Sequence, residues 1–199
     1  MKSFLLTEPQ QARSIAKVQA IEAAVHSIIG GHERWSGYQE VTTNNIAEVA
    51  NVDISTLYRF FASKEDIVMH CLQKTVMELD EKNKHNSRWT QGDPKKSVWW
   101  RGADLQKMVF IETVRWYTPE TQVYVEEYIK KAENRVVKTM KDLGAKGDQK
   151  DWRVSIRFIS YIQAGVLWKV RNSKSSTITK RVIDQYEESS RILIAQYFT

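Results

Sequence analysis

The chain has 199 residues, of which 30 are Lys or Arg and 24 are Asp or Glu, so its formal net charge is +6. Hydrophobic residues make up 42% of the chain, and it holds only eight Gly and three Pro. This composition excludes a disordered or collagen-like chain. Because Gly and Pro, which interrupt helices and form turns, are so few, it favours long helices over an all-β fold. The single cysteine, Cys71, excludes an internal disulfide framework and fits a reducing cytoplasm.

No apolar run approaches the ~20 residues of a membrane span, and the N-terminal apolar stretch is too short for a signal peptide. We therefore expect a soluble cytoplasmic protein without membrane contact. Charge is unevenly distributed, because residues 1–64 contain six basic and six acidic side chains and the whole excess lies in 65–199. The polar segment 83–102, with Gly92, Pro94 and Gly102, is predicted to be the main interruption between helices.

Helical periodicity predicts most elements in chain order. A first helix ends at Gly30 and Gly31 and is predicted to bury Ile15, Val18, Ala20, Ile21, Ala24, Val25 and Ile28. The segment 63–66 resembles a capping box at the start of a later helix. The predicted buried face of that helix comprises Ile67, Val68, Cys71, Leu72, Val76 and Leu79. Thr118 and Pro119 predict another helix start, and Gly144 predicts its end.

The last two predicted helices, 152–170 and roughly 177–198, carry more apolar surface than a chain of this length is expected to cover. In 152–170 apolar residues spread around most of the helix, and such a helix must be covered on nearly all sides. This pattern predicts an isologous homodimer through both helices, and a charge at Leu167 or Ile194 is expected either to yield monomers or to prevent folding. The alternative is that 152–170 is the central core helix of a monomer.

The segment 42–66 has the pattern of two short helices joined by a tight turn. Thr42 or Thr43 is predicted to cap the first helix, and Asp53 the second. Asn51 is predicted to adopt the left-handed conformation that the turn requires. Ile46, Val49 and Ala50 are expected to face inward, Ala47 to permit a close helix crossing, and Val52 to fill the corner. Leu57 and Phe61 are expected to anchor the second helix on its buried face. The residues expected to face more outward are Ile54, Ser55, Thr56, Tyr58 and Arg59.

Several residues of this segment stand at fixed offsets: Ile46-Ala47, Ala50, Thr56-Leu57-Tyr58-Arg59, Phe61 and Ser63-Lys64-Glu65. With them, the chain resembles the DNA-binding region of the TetR family of bacterial transcriptional regulators. The resemblance implies an all-α fold with an N-terminal three-helix helix-turn-helix DNA-binding domain, residues 1–65. It also implies a C-terminal helical domain for effector binding and dimerisation, residues 66–199.

The resemblance also implies which side chains meet DNA when the second helix enters the major groove. Tyr58, Lys64 and Thr42 or Thr43 match residues that contact phosphates. Ser55 and Thr56 match readers of base edges, and Ile54 fits a thymine methyl. Arg13 and Lys17 are candidates for backbone or minor-groove contact. The candidate DNA-binding set is Thr42, Thr43, Ile54, Ser55, Thr56, Tyr58, Arg59 and Lys64.

Three departures from the family pattern affect this interpretation. Asn51 replaces the usual glycine, and the link between the first two helices, 30–41, is longer than usual. Asp53, Ile54 and Ser55 stand where a lysine or arginine is common. Together with the neutral first third of the chain, this lowers the expected nonspecific part of DNA affinity.

Aromatic content indicates a ligand cavity in the C-terminal domain, where the resemblance implies a small-molecule effector. The candidate pocket residues are Trp99, Trp100, Trp116, Tyr117, Phe158, Tyr161 and Trp168. Ordinary core filling remains the alternative for any single tryptophan. Nearby cations favour a hydrophobic effector with an anionic end; these are Lys95, Lys96, Arg101, Lys107, Lys169, Arg171 and Lys174. A simple role of these cations in solubility fits equally well.

The sequence contains no glycine-rich nucleotide loop and no zinc-protease or serine-hydrolase motif. We therefore expect no enzyme, no cofactor and no metal site. The sequence predicts a DNA-binding transcriptional regulator, acting as a ligand-responsive repressor that binds a palindromic operator as a homodimer. The alternative is an effector-independent or protein-partnered co-regulator with a degenerate recognition helix.

Overall fold

The computed structural model describes residues 3–30, 41–85, 103–173 and 175–198, and within these ranges the secondary structure is entirely helical. The α-helices are α1 Ala12–Gly30, α2 Thr43–Val49, α3 Ile54–Phe60, α4 Lys64–His85, α5 Ala103–Arg115, α6 Pro119–Asp142, α7 Gln149–Asn172 and α8 Ser176–Ala195. A 3₁₀ turn, Gln196–Phe198, follows α8. The predicted all-α class is confirmed. No helix of the described ranges is long and apolar enough to cross a membrane.

Two long helices begin at the caps that the sequence predicts. The Ser63 hydroxyl accepts the Asp66 backbone N–H at 3.1 Å and donates to the Asp66 carboxylate at 2.9 Å, which fixes the first turn of α4. Thr118 and Thr121 exchange hydrogen bonds between hydroxyl and backbone at the start of α6. Gly144 follows α6 with φ of +78°, a left-handed conformation that glycine adopts without steric cost.

Helix α1 is buried along a shorter stretch than its apolar pattern predicts. Val18, Ile21 and Val25 are buried as expected, but Ile15 is exposed, and Ile29 is a further buried residue. The prediction for Ile15 was wrong because burial along α1 begins only at Val18, which leaves the first turn in solvent.

An N-terminal core joins α1 to α5 and the first turns of α6. It includes Ile21, Ile46, Leu57, Phe61, Leu72 and Phe110, and the whole predicted face of α4 is buried in it. Cys71 belongs to that face, and burial raises the pKa of its thiol, which keeps it protonated. This core is continuous across residue 65, because α4 packs against α1, α5 and α6. The domain boundary at residue 65 stays a prediction.

A C-terminal core lies between α6, α7 and α8. It includes Met140, Trp152, Ile156, Ile159, Tyr186 and Ile194. Leu167 and Ile194 also belong to it, with 4% and 0% of their surface exposed. These two residues therefore pack within their own chain, so of the two expected effects of a charge there, failure to fold is the one that their burial favours.

One face of α7 is not covered by the described residues. Val154, Phe158, Tyr161 and Trp168 are 68%, 53%, 70% and 52% exposed. Their spacing of four, three and seven residues places them on a single stripe of the helix. Ile178 and Ile192 are exposed on α8. Helix α7 is therefore not enclosed on all sides by the described residues, and its interpretation as the central helix of a monomer stays a prediction.

Candidate nucleic-acid interface and an adjoining cleft

The turn between α2 and α3 has the geometry that the sequence predicts. Asn51 adopts a φ of +51°, and its backbone N–H donates to Glu48 O at 3.0 Å. The next residue, Val52, donates its N–H to Ala47 O, also at 3.0 Å. Ala47 is buried, which allows the close approach of the two helices. The left-handed prediction for Asn51 is confirmed.

The caps of α2 and α3 differ from each other. Thr42 is the cap of α2, since its hydroxyl accepts the Asn45 N–H at 3.1 Å. Asp53 is the N-cap residue of α3, as predicted, but its side chain makes no capping hydrogen bond. Its carbonyl instead accepts the Thr56 N–H at 2.8 Å. Val49 also departs from expectation, because it is exposed on the outer side of α2.

Helix α3 exposes a stripe of mixed polar and apolar side chains on the side away from its buried face. Ile54 and Tyr58 are separated by four residues and are both exposed, as are Ser55 and Arg59. Leu57 and Phe60 lie on the opposite face and are 1% exposed. The second helix of the turn thus presents four of its five predicted outward side chains on one surface.

Thr56 is the exception among the predicted outward residues. It is 8% exposed, because it lies four residues before Phe60 and shares the buried face of α3. The prediction of Thr56 as outward-facing was therefore wrong.

The two candidate cations at this surface are engaged within the chain. Arg59 donates from Nη2 to the Ser14 hydroxyl of α1 at 3.1 Å. Lys64 Nζ lies 3.7 Å from Glu65 Oε1 and 5.7 Å from the centre of the Tyr117 ring. Arg13 is exposed and Lys17 is half-buried on α1. A phosphate would have to compete with Glu65 for Lys64 and with Ser14 for only one of the five N–H donors of Arg59.

The chain before α1 is attached to the end of α3, a feature that sequence reasoning missed. The Leu6 backbone N–H donates to Phe60 O at 2.8 Å. The N-terminal arm therefore lies beside the candidate interface. No side-chain pattern signals this contact, because both partners are main-chain atoms.

The described aromatic candidates do not form one pocket. Trp116 is exposed beneath the Arg115 guanidinium at 4.8 Å, whereas Tyr117 packs against the N-terminal core. Phe158, Tyr161 and Trp168 lie on the exposed stripe of α7. Trp99 and Trp100 fall outside the described residues, as do Lys95, Lys96, Arg101 and Lys174 and most of the 30–41 link. The predicted aromatic pocket is therefore not present among the described residues.

A cleft of about 1560 Å³ lies elsewhere, between α1, α4 and α5 and the connection from α7 to α8. Its charged lining residues are Glu22, Lys74, Glu78, Lys107, Arg171 and Lys180, with His26 beside them. Its walls thus combine the predicted DNA-binding unit with the C-terminal helices. Sequence reasoning missed this cleft, although Glu22, four residues after Val18 and three before Val25, places an acid on the buried face of α1.

Glu22 forms the centre of a charged network inside this cleft. Its Oε1 lies 2.9 Å from His70 Nε2, and its Oε2 lies 2.5 Å from Lys74 Nζ. Burial acts to raise the pKa of Glu22, but the hydrogen bonds and charges of His70 and Lys74 together lower it below its ordinary value. The network connects α1 to α4.

His26 is held beside this network as a hydrogen-bond donor. The Thr75 hydroxyl donates its only proton to Cys71 O at 2.7 Å, so it accepts from His26 Nε2–H at 3.1 Å. The His26 ring stacks against Phe110 with ring centres 4.0 Å apart. Burial lowers the pKa of His26 and outweighs the nearby acids, so the ring is held neutral.

The geometry of α2 and α3 defines a helix-turn-helix DNA-binding protein. Residues 36–71 match the family described as bacterial regulatory proteins, tetR family. The matched segment includes both short helices, the Asn51 turn and the Ser63 cap of α4. This segment of the chain is therefore similar to the DNA-binding region of that family, and the chain is a DNA-binding transcriptional regulator. Comparison with curated proteins gives no match.

Proposed function

We propose that this regulator is a ligand-responsive repressor that binds a palindromic operator as a homodimer in the cytoplasm. The observation that carries the proposal is the exposed stripe of α3, formed by Ile54, Ser55, Tyr58 and Arg59. A rigid helix that buries one face and exposes a mixed face of this kind fits the width of the major groove. Residues 1–65 carry the DNA contacts, and 66–199 carry dimerisation and effector response.

Within the groove, the exposed side chains divide by chemistry. The hydroxyls of Tyr58 and Thr42 donate to phosphate oxygens and set the register of the helix. Ser55 lies where it can bond to a base edge, and Ile54 supplies apolar contact to a thymine methyl. Lys64 and Arg59 reach phosphates by exchanging their internal partners. The neutral charge of residues 1–64 leaves few cations to neutralise phosphates, which weakens binding to unrelated sequences.

The exposed stripe of α7 supports the dimer. Phe158, Tyr161 and Trp168 form an apolar surface that a second copy would cover through the same surface. Gly165 lies on this stripe, and a Cβ there would have no neighbour within 4 Å among the described residues, so a partner helix has room to approach. Two copies related by a two-fold axis present two α3 helices to successive grooves.

The cleft supports the response to an effector. Its walls come from α1 on one side and from α5, α7 and α8 on the other. A ligand that binds between them changes the position of α1, and with it that of α3. The resulting shift in operator affinity equals the difference in the ligand's affinity for the DNA-bound and free states.

Selection of duplexes from random DNA, followed by binding at increasing salt concentrations, tests the operator proposal. We expect a palindromic site, bound at least ~10³-fold more tightly than bulk DNA. The Tyr58→Phe variant should weaken binding to all sequences similarly, because it removes one phosphate contact. If no duplex is enriched even at low salt, the chain acts through a protein partner. A selected operator whose binding responds to no ligand favours the effector-independent alternative.

A further inference from the structure

We propose that the cleft binds a hydrophobic organic anion whose carboxylate or phosphate pairs with Arg171. Its apolar part would lie along Val109, Phe110 and Ile183, which line the same cleft. Any effect of this ligand on operator binding rests on the proposed function, whereas the binding itself does not.

The first support is the unusual environment of the Arg171 side chain. Its Nη1 donates to the Thr113 hydroxyl at 2.9 Å, and that hydroxyl donates in turn to Val109 O at 2.7 Å. Thr113 therefore holds the guanidinium in place by accepting a single hydrogen bond. A guanidinium carries five N–H donors, so most of its hydrogen-bonding capacity remains for a ligand.

The second support is the lack of a countercharge. Among the described residues of the C-terminal helices, Arg171 and the exposed Arg181 have no carboxylate within salt-bridge distance, unlike the other five arginines. Those with a carboxylate partner are Arg115, Arg135, Arg153, Arg157 and Arg191. Burial alone lowers the pKa of Arg171, because no anion offsets the loss of water. An anion in the cleft would supply the missing partner.

The third support is the charge distribution along the cleft. Glu22 pairs with Lys74, and Glu78 pairs with Lys107, so these acids are matched by cations. Arg171 remains at the end formed by α7 and α8, and Lys180 also lines that end. Neither of these two is in an ion pair within the described chain. The connecting residues Ser173, Ser176 and Thr179 add hydroxyl groups there. This end therefore favours an anionic head group.

The remaining wall is suited to an apolar chain. Leu105, Val109, Phe110, Val170 and Ile183 provide hydrocarbon surface beside the cationic end. The cleft volume of about 1560 Å³ exceeds the ~300–1,000 Å³ of common ligand sites, so it accommodates an extended ligand. Burial of the ligand's methylene groups supplies affinity, and Arg171 supplies orientation and selectivity.

Calorimetric titration of the full chain at low salt, without DNA, tests this site. The probes are decanoate, decyl phosphate and decanol, which share an apolar chain and differ in head group. We expect both anions to bind about tenfold or more tightly than decanol, a ratio that reports the head-group contact. The tighter of the two anions identifies whether a carboxylate or a phosphate is preferred. Equal affinity of anions and alcohol, or no binding of any probe, would overturn the proposal.

Substitutions locate the head group. Arg171→Gln should reduce anion affinity about tenfold and leave decanol binding unchanged, since only the charged contact is lost. Arg171→Lys keeps the charge and should retain part of that affinity, and it serves if the glutamine variant folds poorly. Arg181→Gln, an exposed site outside the cleft lining, is the matched control. Unchanged anion affinity in both Arg171 variants would remove this residue from the site.

A second measurement separates this site from the proposed function. Decanoate or decyl phosphate is added to the complex of protein and selected operator. Release of DNA by the wild type but not by Arg171→Gln supports both the site and its regulatory role. Tight anion binding without any effect on the operator leaves the site standing and refutes ligand-responsive repression.

Discussion

Glu22 of α1 and His70 of α4 are joined across 48 positions of sequence by a contact of 2.9 Å between Oε1 and Nε2. Lys74 bonds to the other oxygen of the same carboxylate. The His70 ring also packs edge-on against Phe61, at the end of α3, with ring centres 5.3 Å apart. One buried acid thus connects the first helix, the end of the recognition helix and α4.

Loss of this acid should destabilise the chain. We expect Glu22→Gln to lower the free energy of unfolding at neutral pH by about 1–3 kcal/mol, because His70 and Lys74 lose their anionic partner. Urea denaturation followed by circular dichroism measures the change. Glu127→Gln, on the exposed side of α6, is the control and should be neutral. Equal stability of wild type and Glu22→Gln would contradict the structural role of the network.

The same variant has a defined pH dependence. Because the folded-state pKa of Glu22 lies below its ordinary value of 4.5, the network stabilises the fold above that pH. The contribution is lost as the pH falls through the lower folded-state pKa. The stability difference between wild type and Glu22→Gln should therefore narrow in acid.

His26 should make the protein sensitive to mild acid. Its folded-state pKa is lowered from 6.5 by burial, so the unfolded chain takes up a proton first as the pH falls. Stability is therefore lost progressively below about pH 6.5. We expect the melting temperature of His26→Gln, which keeps a donor for Thr75, to fall less than that of wild type across this range. Parallel curves for the two proteins would show that His26 does not carry the effect.

Adjacent residues of α3 should separate recognition from stability. Ser55 is exposed, so Ser55→Ala should leave unfolding unchanged and cost about 1 kcal/mol of operator affinity, with relaxed preference at one base pair. Thr56 is buried, so Thr56→Ala should instead lower the free energy of unfolding by about 1 kcal/mol. Denaturation and operator titration of both variants check this. A change in base preference with unaltered stability for Thr56→Ala would contradict its burial.

The α7 surface predicts which substitution separates the dimer from the fold. Phe158→Glu should yield a folded monomer in sedimentation, because a charge at the centre of an apolar interface remains unpaired. Val123→Glu changes an equally exposed residue of α6 and should leave the dimer intact. Leu167→Glu should prevent folding, since Leu167 lies in the C-terminal core. A wild-type monomer at micromolar concentration would refute the dimer.

The sequence by itself determined the features that depend on neighbouring residues. The capping box at Ser63, the left-handed turn at Asn51 and the anchors Leu57 and Phe61 all follow from side chains within a few positions of one another. Such interactions fix backbone dihedral angles locally, so the spacing of the residues that form them can be recognised in the amino-acid sequence. These same offsets carried the family resemblance.

Only the tertiary structure decided which faces of the helices are covered. It buried Thr56, attached Arg59 to Ser14, and paired Glu22 with His70 and Lys74 across the α1–α4 interface. It also left the α7 aromatics in solvent and opened the cleft at Arg171 instead. Each of these outcomes depends on residues that are distant in sequence and on how the helices pack. Helical periodicity predicts which face of a helix is apolar, but it does not predict which element packs against that face.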